Sequence, residues 1–154
     1  MHLIPTKEEM LLALEERHGK ELQSKFSKAS VAICGLGGLG SNIAIALARA
    51  GIGKLILIDF DKVDLSNLNR QQYFVSQIGM YKTDALKVNL QQIAPYLEID
   101  THTVRITESN IKALLCNADI ICEAFDQPEE KAMLVNGIRE NFPDKYLAAG
   151  SGMS

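Results

Sequence analysis

Cysteine is scarce in this sequence of 154 residues, tryptophan is absent, and the three cysteines, Cys34, Cys116 and Cys122, form no C-x-x-C pair. An odd number of cysteines without metal-ligand spacing argues against both a disulfide framework and a structural zinc site. Because each cysteine lies in or beside an apolar segment, we expect all three to be small core residues.

The sequence also lacks the features of nucleic-acid-binding and membrane proteins. Its net charge of −3 comes without a basic stripe, so we expect no nucleic-acid partner. No apolar run approaches the roughly 20 residues of a membrane span, and the sequence start shows no signal-peptide pattern. We therefore expect a cytoplasmic protein with no membrane partner. The hydrophobic share of 47% is that of an ordinary globular domain.

What the sequence does contain, over residues 31–61, is an apolar strand, a glycine-rich turn, an apolar helix and a second strand that ends in Asp59. Gly35, Gly37 and Gly40 match G-x-G-x-x-G, the pattern of a tight turn that lets a phosphate approach bare backbone at a helix N-terminus. Asp59 stands where such folds place a ribose-binding carboxylate. The pattern predicts nucleotide binding and leaves NAD and ATP open, although glycines at this spacing can also serve helix packing alone.

Strand and helix patterns alternate along the rest of the chain. Apolar strand patterns occur at 30–34, 54–59, 98–104, 119–124 and 145–149, with helical patterns at 40–50, 82–94, 108–116 and 129–141. This alternation predicts an α/β fold, a Rossmann-like, doubly wound and mostly parallel sheet with helices on both faces. A capping-box pattern from Thr6 to Glu9 predicts a further helix over 7–18. We expect an N-terminal helical arm over 1–27 and a Rossmann-like domain over 28–154.

The longest stretch without periodicity, residues 60–81, follows the end of a strand, where open α/β sheets bind ligands. It is rich in polar side chains, and Lys82 follows it directly. Arg70 offers a planar fork for phosphate oxygens, Lys82 a point charge, and Asn67 a neutral donor and acceptor. These residues favour a triphosphate over NAD, although Arg70 and Lys82 can also be read as solvated surface charges.

Asp126 follows the strand pattern at 119–124 and should lie at the same edge of the sheet. A carboxylate that faces bound phosphates is tolerated chiefly when Mg²⁺ lies between them. The alternative is that Asp126 caps the helix that starts near Pro128.

Five ordered motifs together resemble the ThiF/MoeB/HesA family, which is related to ubiquitin-activating enzymes. They are GLGGLGS at 35–41, DFD at 59–61, SNLNRQ at 66–71, IGMYK at 78–82 and the acid of EAFD at 126. The resemblance covers about residues 28 to 150 and is closest to a short ThiF. It implies an ATP- and Mg²⁺-dependent adenylyltransferase that activates the C-terminal glycine of a small ubiquitin-fold sulfur-carrier protein as an acyl-adenylate, in thiamine biosynthesis.

The resemblance also implies a role for each motif residue. Arg70, Lys82 and Asp126 would be catalytic, Asp126 would hold the magnesium, and Asp59 would hold the ribose. The residues expected to bind the nucleotide are Gly35, Gly37, Gly38, Gly40, Asp59, Asp61, Asn67, Arg70, Gln71 and Lys82.

The chain departs from many relatives in several respects. It lacks their two C-x-x-C zinc pairs and their later cysteine, and it ends at AAGSGMS, where relatives continue, so the C-terminal part of the family domain is expected to be missing. Relatives pair through the nucleotide domain, so we expect a homodimer. Arg17 is the one basic candidate for reaching a neighbouring subunit's ATP, although it can also be read as a solvated residue that interacts with the dipole at the end of its helix. Two alternatives remain: an NAD(P)-dependent oxidoreductase, and a non-catalytic partner like the inactive half of a heterodimeric activating enzyme.

Overall fold

Five short parallel strands form one sheet in the computed structural model, which describes residues 3–150. The strands are β1 (Ser30–Cys34), β2 (Lys54–Ile58), β3 (Glu98–His102), β4 (Ile120–Glu123) and β5 (Tyr146–Ala149). Their order in the sheet is β3-β2-β1-β4-β5. Every predicted strand is present, and the predicted ends differ from the observed ones by at most two residues.

Six α-helices surround or precede the sheet. They are α1 (Lys7–His18), α2 (Lys20–Lys28), α3 (Gly38–Ala50), α4 (Lys82–Ile93), α5 (Ile111–Leu115) and α6 (Pro128–Asn141). Buried residues of α3 and α4 share one core cluster, and buried residues of α5 and α6 share another. None of these helices is long and apolar enough to cross a membrane.

The two core clusters lie on opposite faces of the sheet, as β1 shows. All five of its residues are buried. Val31 and Ile33 pack with the α3 and α4 side chains, whereas Ala32 and Cys34 pack with those of α5 and α6. A strand covered on both faces is mostly apolar, which is why residues 31–34 of β1 appear in the sequence as a continuous apolar run after Ser30. The predicted Rossmann-like, doubly wound fold is therefore confirmed.

The N-terminal region contains one predicted helix and one that was missed. In α1, the predicted capping box is present, since the Glu9 N–H donates to the Thr6 hydroxyl and the Thr6 N–H to the Glu9 carboxylate. Helix α2 was not predicted, because its sequence KELQSKFSK has too few apolar residues for a clear period. It is held instead by the buried Gln23, whose amide donates to the Gly51 carbonyl at 3.2 Å.

The expected boundary between arm and domain, after residue 27, falls one residue before the end of α2 and remains a prediction. Residues 1–2 of the expected arm and 151–154 of the expected domain lie outside the described residues.

The cysteine expectation is right for two residues and wrong for the third. Cys34 and Cys122 are buried in the sheet, whereas Cys116 is exposed. Cys116 follows α5, which ends at Leu115, so its side chain is past the helical face that packs on the core.

The strand order reverses at β1, because the chain moves outward through β2 and β3 and then returns to place β4 on the other side of β1. The connections that follow β1 and β4 therefore lead to opposite sides of the sheet, and the adjacent carboxyl ends of these two strands form a topological switch point, where open α/β sheets bind ligands.

Candidate nucleotide-binding site

A cavity of about 330 Å³ opens at this switch point. Its volume is within the range of small-molecule sites, roughly 300 to 1,000 Å³. Residues that follow β1, β2, β3 and β4 line it, together with the start of α4 and the first turn of α6. They are Gly35, Leu36, Gly37, Ile58, Asp59, Phe60, Asp61, Lys82, Val104, Arg105, Ile106, Ala124, Phe125, Asp126, Gln127 and Glu130.

The glycine turn brings bare backbone to the cavity. Gly35 has a φ of 99°, and a Cβ there would be only 2.8 Å from the Ala124 carbonyl oxygen. A Cβ on Gly40 would overlap the Gly35 carbonyl oxygen, so the first turn of α3 packs directly against the glycine turn. Gly37 is the N-cap of α3 and has no side chain to cap the helix. The turn thus leaves the N-terminal N–H groups of α3 available to an anion.

Asp59 anchors the glycine turn to the end of β2. One carboxylate oxygen accepts the Leu36 N–H at 2.7 Å, and the other accepts the Asp61 N–H at 2.7 Å. Burial raises the pKa of Asp59, and these two hydrogen bonds together with the charge of Lys82 partly oppose the rise. The residue predicted to hold a ribose therefore also holds the turn that would receive the phosphates.

Lys82 is the buried cation of the cavity. It is the first residue of α4, its N–H donates to the Asp61 carbonyl at 2.9 Å, and the residue is 6% exposed. Its positive charge lowers the pKa of Asp64 as well as that of Asp59, although hydrogen bonds from Ser66 have the larger effect on Asp64. A buried ammonium on a cavity wall is a suitable partner for a phosphate.

Three predicted phosphate-binding residues, Asn67, Arg70 and Gln71, do not line the cavity. The Arg70 guanidinium is exposed and donates to the Ser66 carbonyl at 3.1 Å and to the Asn69 side chain at 3.0 Å. The Asn67 side-chain oxygen accepts the Asp64 N–H. Of the predicted glycines, Gly38 and Gly40 also lie outside the lining.

Hydrogen bonds nevertheless hold the segment that carries Arg70 beside the N-terminus of α3. The Asn42 amide donates to the Arg70 carbonyl at 3.0 Å and accepts from the Gln72 amide at 2.8 Å. The Gln72 N–H donates to the Ser41 hydroxyl, which itself donates to the Gly37 carbonyl. Arg70 is therefore placed near the same helix end that the glycine turn exposes.

Gln71 is buried against the glycine turn. It is 8% exposed, and its amide nitrogen lies 3.6 Å from the position of a Cβ on Gly37. Its buried side-chain oxygen has no hydrogen-bond partner among the described residues. Because buried polar atoms are nearly always paired, this amide is suited to contact a polar ligand at the turn.

Asp126 lies in the turn of residues 124–127, between β4 and α6, and lines the cavity. The N-cap position of α6 is Gln127, one residue after Asp126, and the alternative in which the Asp126 carboxylate caps this helix stays a prediction. Within residues 3–150, no group of three or more His, Cys, Asp or Glu side chains could hold a metal by itself.

The charges around the cavity fit a magnesium-bound polyphosphate better than a bare one. The lining contains two basic side chains, Lys82 and Arg105, and four acidic ones, Asp59, Asp61, Asp126 and Glu130. Such a wall repels a bare polyphosphate, whereas carboxylate and phosphate oxygens together are the ligands that Mg²⁺ prefers. The residues present therefore fit magnesium bound jointly by Asp126 and a nucleotide.

Arg105 and Glu130 are lining residues that sequence reasoning missed. The Arg105 guanidinium lies 4.0 Å from the centre of the Phe60 ring, and one of its nitrogens is 2.7 Å from the Glu130 carboxylate. Together they connect the ends of β2 and β3 to the first turn of α6. The strand pattern at 98–104 extended past the true end of β3 at His102, whereas residues 104–106 already line the cavity.

Fold and cavity define a Rossmann-like α/β domain with a candidate ligand site at its topological switch point. The sequence matches the ThiF family over residues 10–150, and the chain belongs to that family.

Several named proteins are similar to this chain. The adenylyltransferase and sulfurtransferase MOCS3 of Anopheles gambiae is 38% identical over 117 residues, which cover 75% of this chain and 26% of that protein. The molybdopterin-synthase adenylyltransferase of Haemophilus influenzae is 36% identical over 113 residues, covering 73% of this chain and 46% of that protein. The chain thus spans less than half the length of these two curated relatives.

Among solved structures, the chain is similar to E. coli tRNA N6-threonylcarbamoyladenosine dehydratase, TcdA, in complex with ATP. The TM-score is 0.86 at 26% sequence identity, and the match covers 96% of this chain and 61% of TcdA. The solved relative therefore contains this whole fold within a longer chain.

Proposed function

We propose that this chain is the ATP-binding domain of an adenylyltransferase that activates the C-terminal carboxylate of a small ubiquitin-fold sulfur-carrier protein. The observation that carries the proposal is the cavity at the switch point, where a bare glycine turn, the buried Lys82 and the carboxylate of Asp126 meet. Membership of the ThiF family and relatives named adenylyltransferases support it.

In the proposed reaction, a carboxylate oxygen of the carrier attacks the α-phosphorus of ATP. A bond forms between that oxygen and phosphorus, the bond to pyrophosphate breaks, and the products are an acyl-adenylate and pyrophosphate. Because two anions must approach each other, the site's main tasks are to neutralise charge and to align the attack.

Each residue has a role in this proposal that suits its position. The N–H groups at the start of α3, Gln71 and Lys82 bind phosphate oxygens, and Asp59 binds the ribose while it holds the glycine turn. Arg70 reaches the outer phosphates from the segment tethered to α3. No covalent nucleophile on the protein is required, because the carrier supplies the attacking oxygen.

Asp126 would hold Mg²⁺ together with phosphate oxygens of the nucleotide, and the metal would supply positive charge at the phosphates. The acidic balance of the lining supports this assignment.

The family resemblance supports proposals about the pathway and the assembly, and the sequence composition supports one about the location. We propose thiamine biosynthesis as the pathway, with molybdopterin synthesis as the competing one, because a similar protein is named molybdopterin-synthase adenylyltransferase. We further propose a cytoplasmic homodimer. Arg17 is exposed in the last turn of α1, on the surface rather than among the cavity residues of its own chain.

Two measurements on the full chain test the proposal. Calorimetric titration compares ATP with Mg²⁺ against NAD, and ATP–pyrophosphate exchange is measured with each candidate carrier. We expect ATP to bind, NAD to bind weakly, and exchange to depend on a carrier with a C-terminal glycine. Tight NAD binding without an ATP response would contradict the proposal and favour the oxidoreductase alternative. ATP binding without exchange for any carrier would favour the non-catalytic partner.

A further inference from the structure

An ion pair with a buried carboxylate connects the two elements on either side of the turn of residues 124–127. The Glu123 side chain at the end of β4 is 1% exposed, and the Lys131 ammonium is 3.1 Å from one of its oxygens and 3.4 Å from the other. The oxygen nearer to Lys131 also accepts the Phe125 N–H at 2.9 Å. A carboxylate this deeply buried requires such partners, because an unpaired charge in the interior is strongly unfavourable.

The ion pair holds the turn at both ends. Glu123 is the last residue of β4, and Lys131 is the fourth residue of α6, with its own N–H bonded to the Gln127 carbonyl. The intervening residues, 124–127, all line the cavity. The path of this turn therefore depends on where the carboxylate and the ammonium meet.

The turn has little room to move toward the glycine turn. A Cβ on Gly35 would lie 2.8 Å from the Ala124 carbonyl oxygen and 3.2 Å from the Phe125 ring. The ion pair ties the two ends of the turn together, and Gly35 packs closely against Ala124 and Phe125 within it. Asp126 is consequently presented to the cavity from a segment that is held at its ends and packed against the glycine turn.

We propose that Glu123 and Lys131 are positioning residues of the nucleotide site, whose ion pair fixes the turn that presents Asp126 to a metal-bound nucleotide. The inference rests on the proposed function, because it assigns the turn to metal and nucleotide binding. Neither residue needs to touch the ligand. The physical basis of this inference is that losing a group that supports a metal ligand typically weakens metal binding by 10-fold to 100-fold.

Two substitutions separate the charge of the pair from its shape. Glu123→Gln keeps the length and an oxygen for the Phe125 N–H but removes the negative charge. Lys131→Met keeps the apolar stem and removes the ammonium, which leaves the Glu123 carboxylate buried without its counter-charge. The double variant removes both charges and so restores neutrality without restoring the pair.

A matched control is available at the opposite edge of the sheet. Lys54 is the first residue of β2, and its ammonium lies 3.1 Å from Asp100, with a side chain 22% exposed compared with 24% for Lys131. Lys54→Met therefore removes an ammonium of similar exposure from an ion pair outside the cavity lining, with a carboxylate partner that is 47% exposed compared with 1% for Glu123.

The experiment measures Mn²⁺ affinity by electron paramagnetic resonance in the presence of a non-hydrolysable ATP analogue, with thermal unfolding measured on the same samples. We expect Lys131→Met, Glu123→Gln and the double variant each to weaken Mn²⁺ binding by about tenfold or more. Lys54→Met should leave it at the wild-type value. Recovery of thermal stability in the double variant without recovery of Mn²⁺ affinity would distinguish positioning from stabilisation.

The inference is overturned if the folded variants keep wild-type Mn²⁺ affinity, even when their thermal stability falls. If Lys131→Met does not fold, Glu123→Gln and the double variant decide the question by the same criterion. Failure of the wild-type protein to bind the ATP analogue would instead contradict the proposed function. A wild-type protein that binds the analogue and the metal, with variants that do so equally well, contradicts only the positioning role.

Discussion

The Tyr73 hydroxyl donates a hydrogen bond of 2.7 Å to the carbonyl oxygen of Leu36, in the middle of the glycine turn. Both residues are buried, and Tyr73 packs in the same core cluster as Leu36 and the helices α3 and α4. The bond therefore joins the segment after β2 to the backbone that faces the cavity. The glycine turn is thus held from two sides, because Asp59 accepts the Leu36 N–H while Tyr73 donates to its carbonyl.

Replacing Tyr73 by Phe should lower the free energy of unfolding by about 1 to 3 kcal/mol, because the buried Leu36 carbonyl loses this partner. Urea denaturation measures the change. Tyr96→Phe is the matched control, since Tyr96 also donates to a backbone carbonyl, that of Pro5, but at an exposed site. Equal losses in the two variants would contradict the special role of the buried bond.

The Asp59 carboxyl should stabilise the folded protein more at low pH than at neutral pH. Burial raises the pKa of its carboxyl above that of the unfolded chain, so the folded state binds more protons in the window between the two pKa values. The stability contribution of this group is present below the unfolded pKa and is lost as pH rises through the folded pKa.

We therefore expect the stability of the wild-type protein relative to Asp59→Asn to fall as pH rises from below the ordinary aspartate pKa through the raised pKa of the folded state. Denaturant unfolding at several pH values measures this difference. The substitution also disturbs the hydrogen bonds to Leu36 and Asp61, but that offset does not depend on pH. A difference that rises with pH would show that the hydrogen bonds outweigh burial.

The fold could be predicted because most of its strands and helices appear in the sequence as local apolar patterns. A strand buried on both faces, such as Ser30–Cys34, is mostly apolar, and the apolar run over its last four residues is visible without any tertiary information. Helix α2 could not be predicted in the same way, because the side chain that fixes it, Gln23, is polar and finds its partner on Gly51, 28 residues away.

Some site residues could be predicted from the sequence because strand ends place them, whereas others depend on tertiary contacts. Asp59, Asp61 and Asp126 directly follow strands, and a parallel sheet brings the carboxyl ends of its strands to one edge. The position of Arg70 depends instead on hydrogen bonds between its segment and Asn42, which no sequence pattern records. The pairing of Arg105 with Glu130 likewise depends on tertiary contact.

Arg105 should affect the nucleoside end of the ligand more than its phosphates. Its guanidinium is already paired with Glu130 and lies over the Phe60 ring. Its charge is therefore largely neutralised, and its planar surface can contact a ligand in the cavity. We expect Arg105→Ala to weaken ATP binding, by about 0.5 to 2 kcal/mol if a stacking contact is lost, and to leave the affinity for inorganic tripolyphosphate unchanged. Calorimetry with both ligands measures this, and an equal loss for tripolyphosphate would instead assign Arg105 to the phosphates.

Replacing Asp126 by Asn should abolish most of the pyrophosphate exchange, because the shape is kept while the charge proposed to hold the metal is lost. Raised Mg²⁺ should restore part of the activity. Asp144→Asn, an exposed change near β5, serves as the control and should have no effect. Exchange that stays near the wild-type rate at all Mg²⁺ concentrations would show that the Asp126 carboxylate is not a metal ligand.

A substitution of Arg70 tests whether the segment bonded to α3 takes part in catalysis, because the Arg70 guanidinium lies outside the cavity lining. If it contacts phosphates as charge develops, Arg70→Ala should cost about 2 to 4 kcal/mol in the transition state, or roughly 10² to 10³ in the exchange rate. Nucleotide affinity should fall less.

The fold should survive this substitution, because the Arg70 side chain is exposed and bonds only within its own segment. Arg139→Ala, an exposed change at the far end of α6, is the control, and circular dichroism checks folding. If both variants exchange pyrophosphate equally fast, Arg70 is a surface residue, and phosphate binding falls to Lys82, Gln71 and the N-terminus of α3.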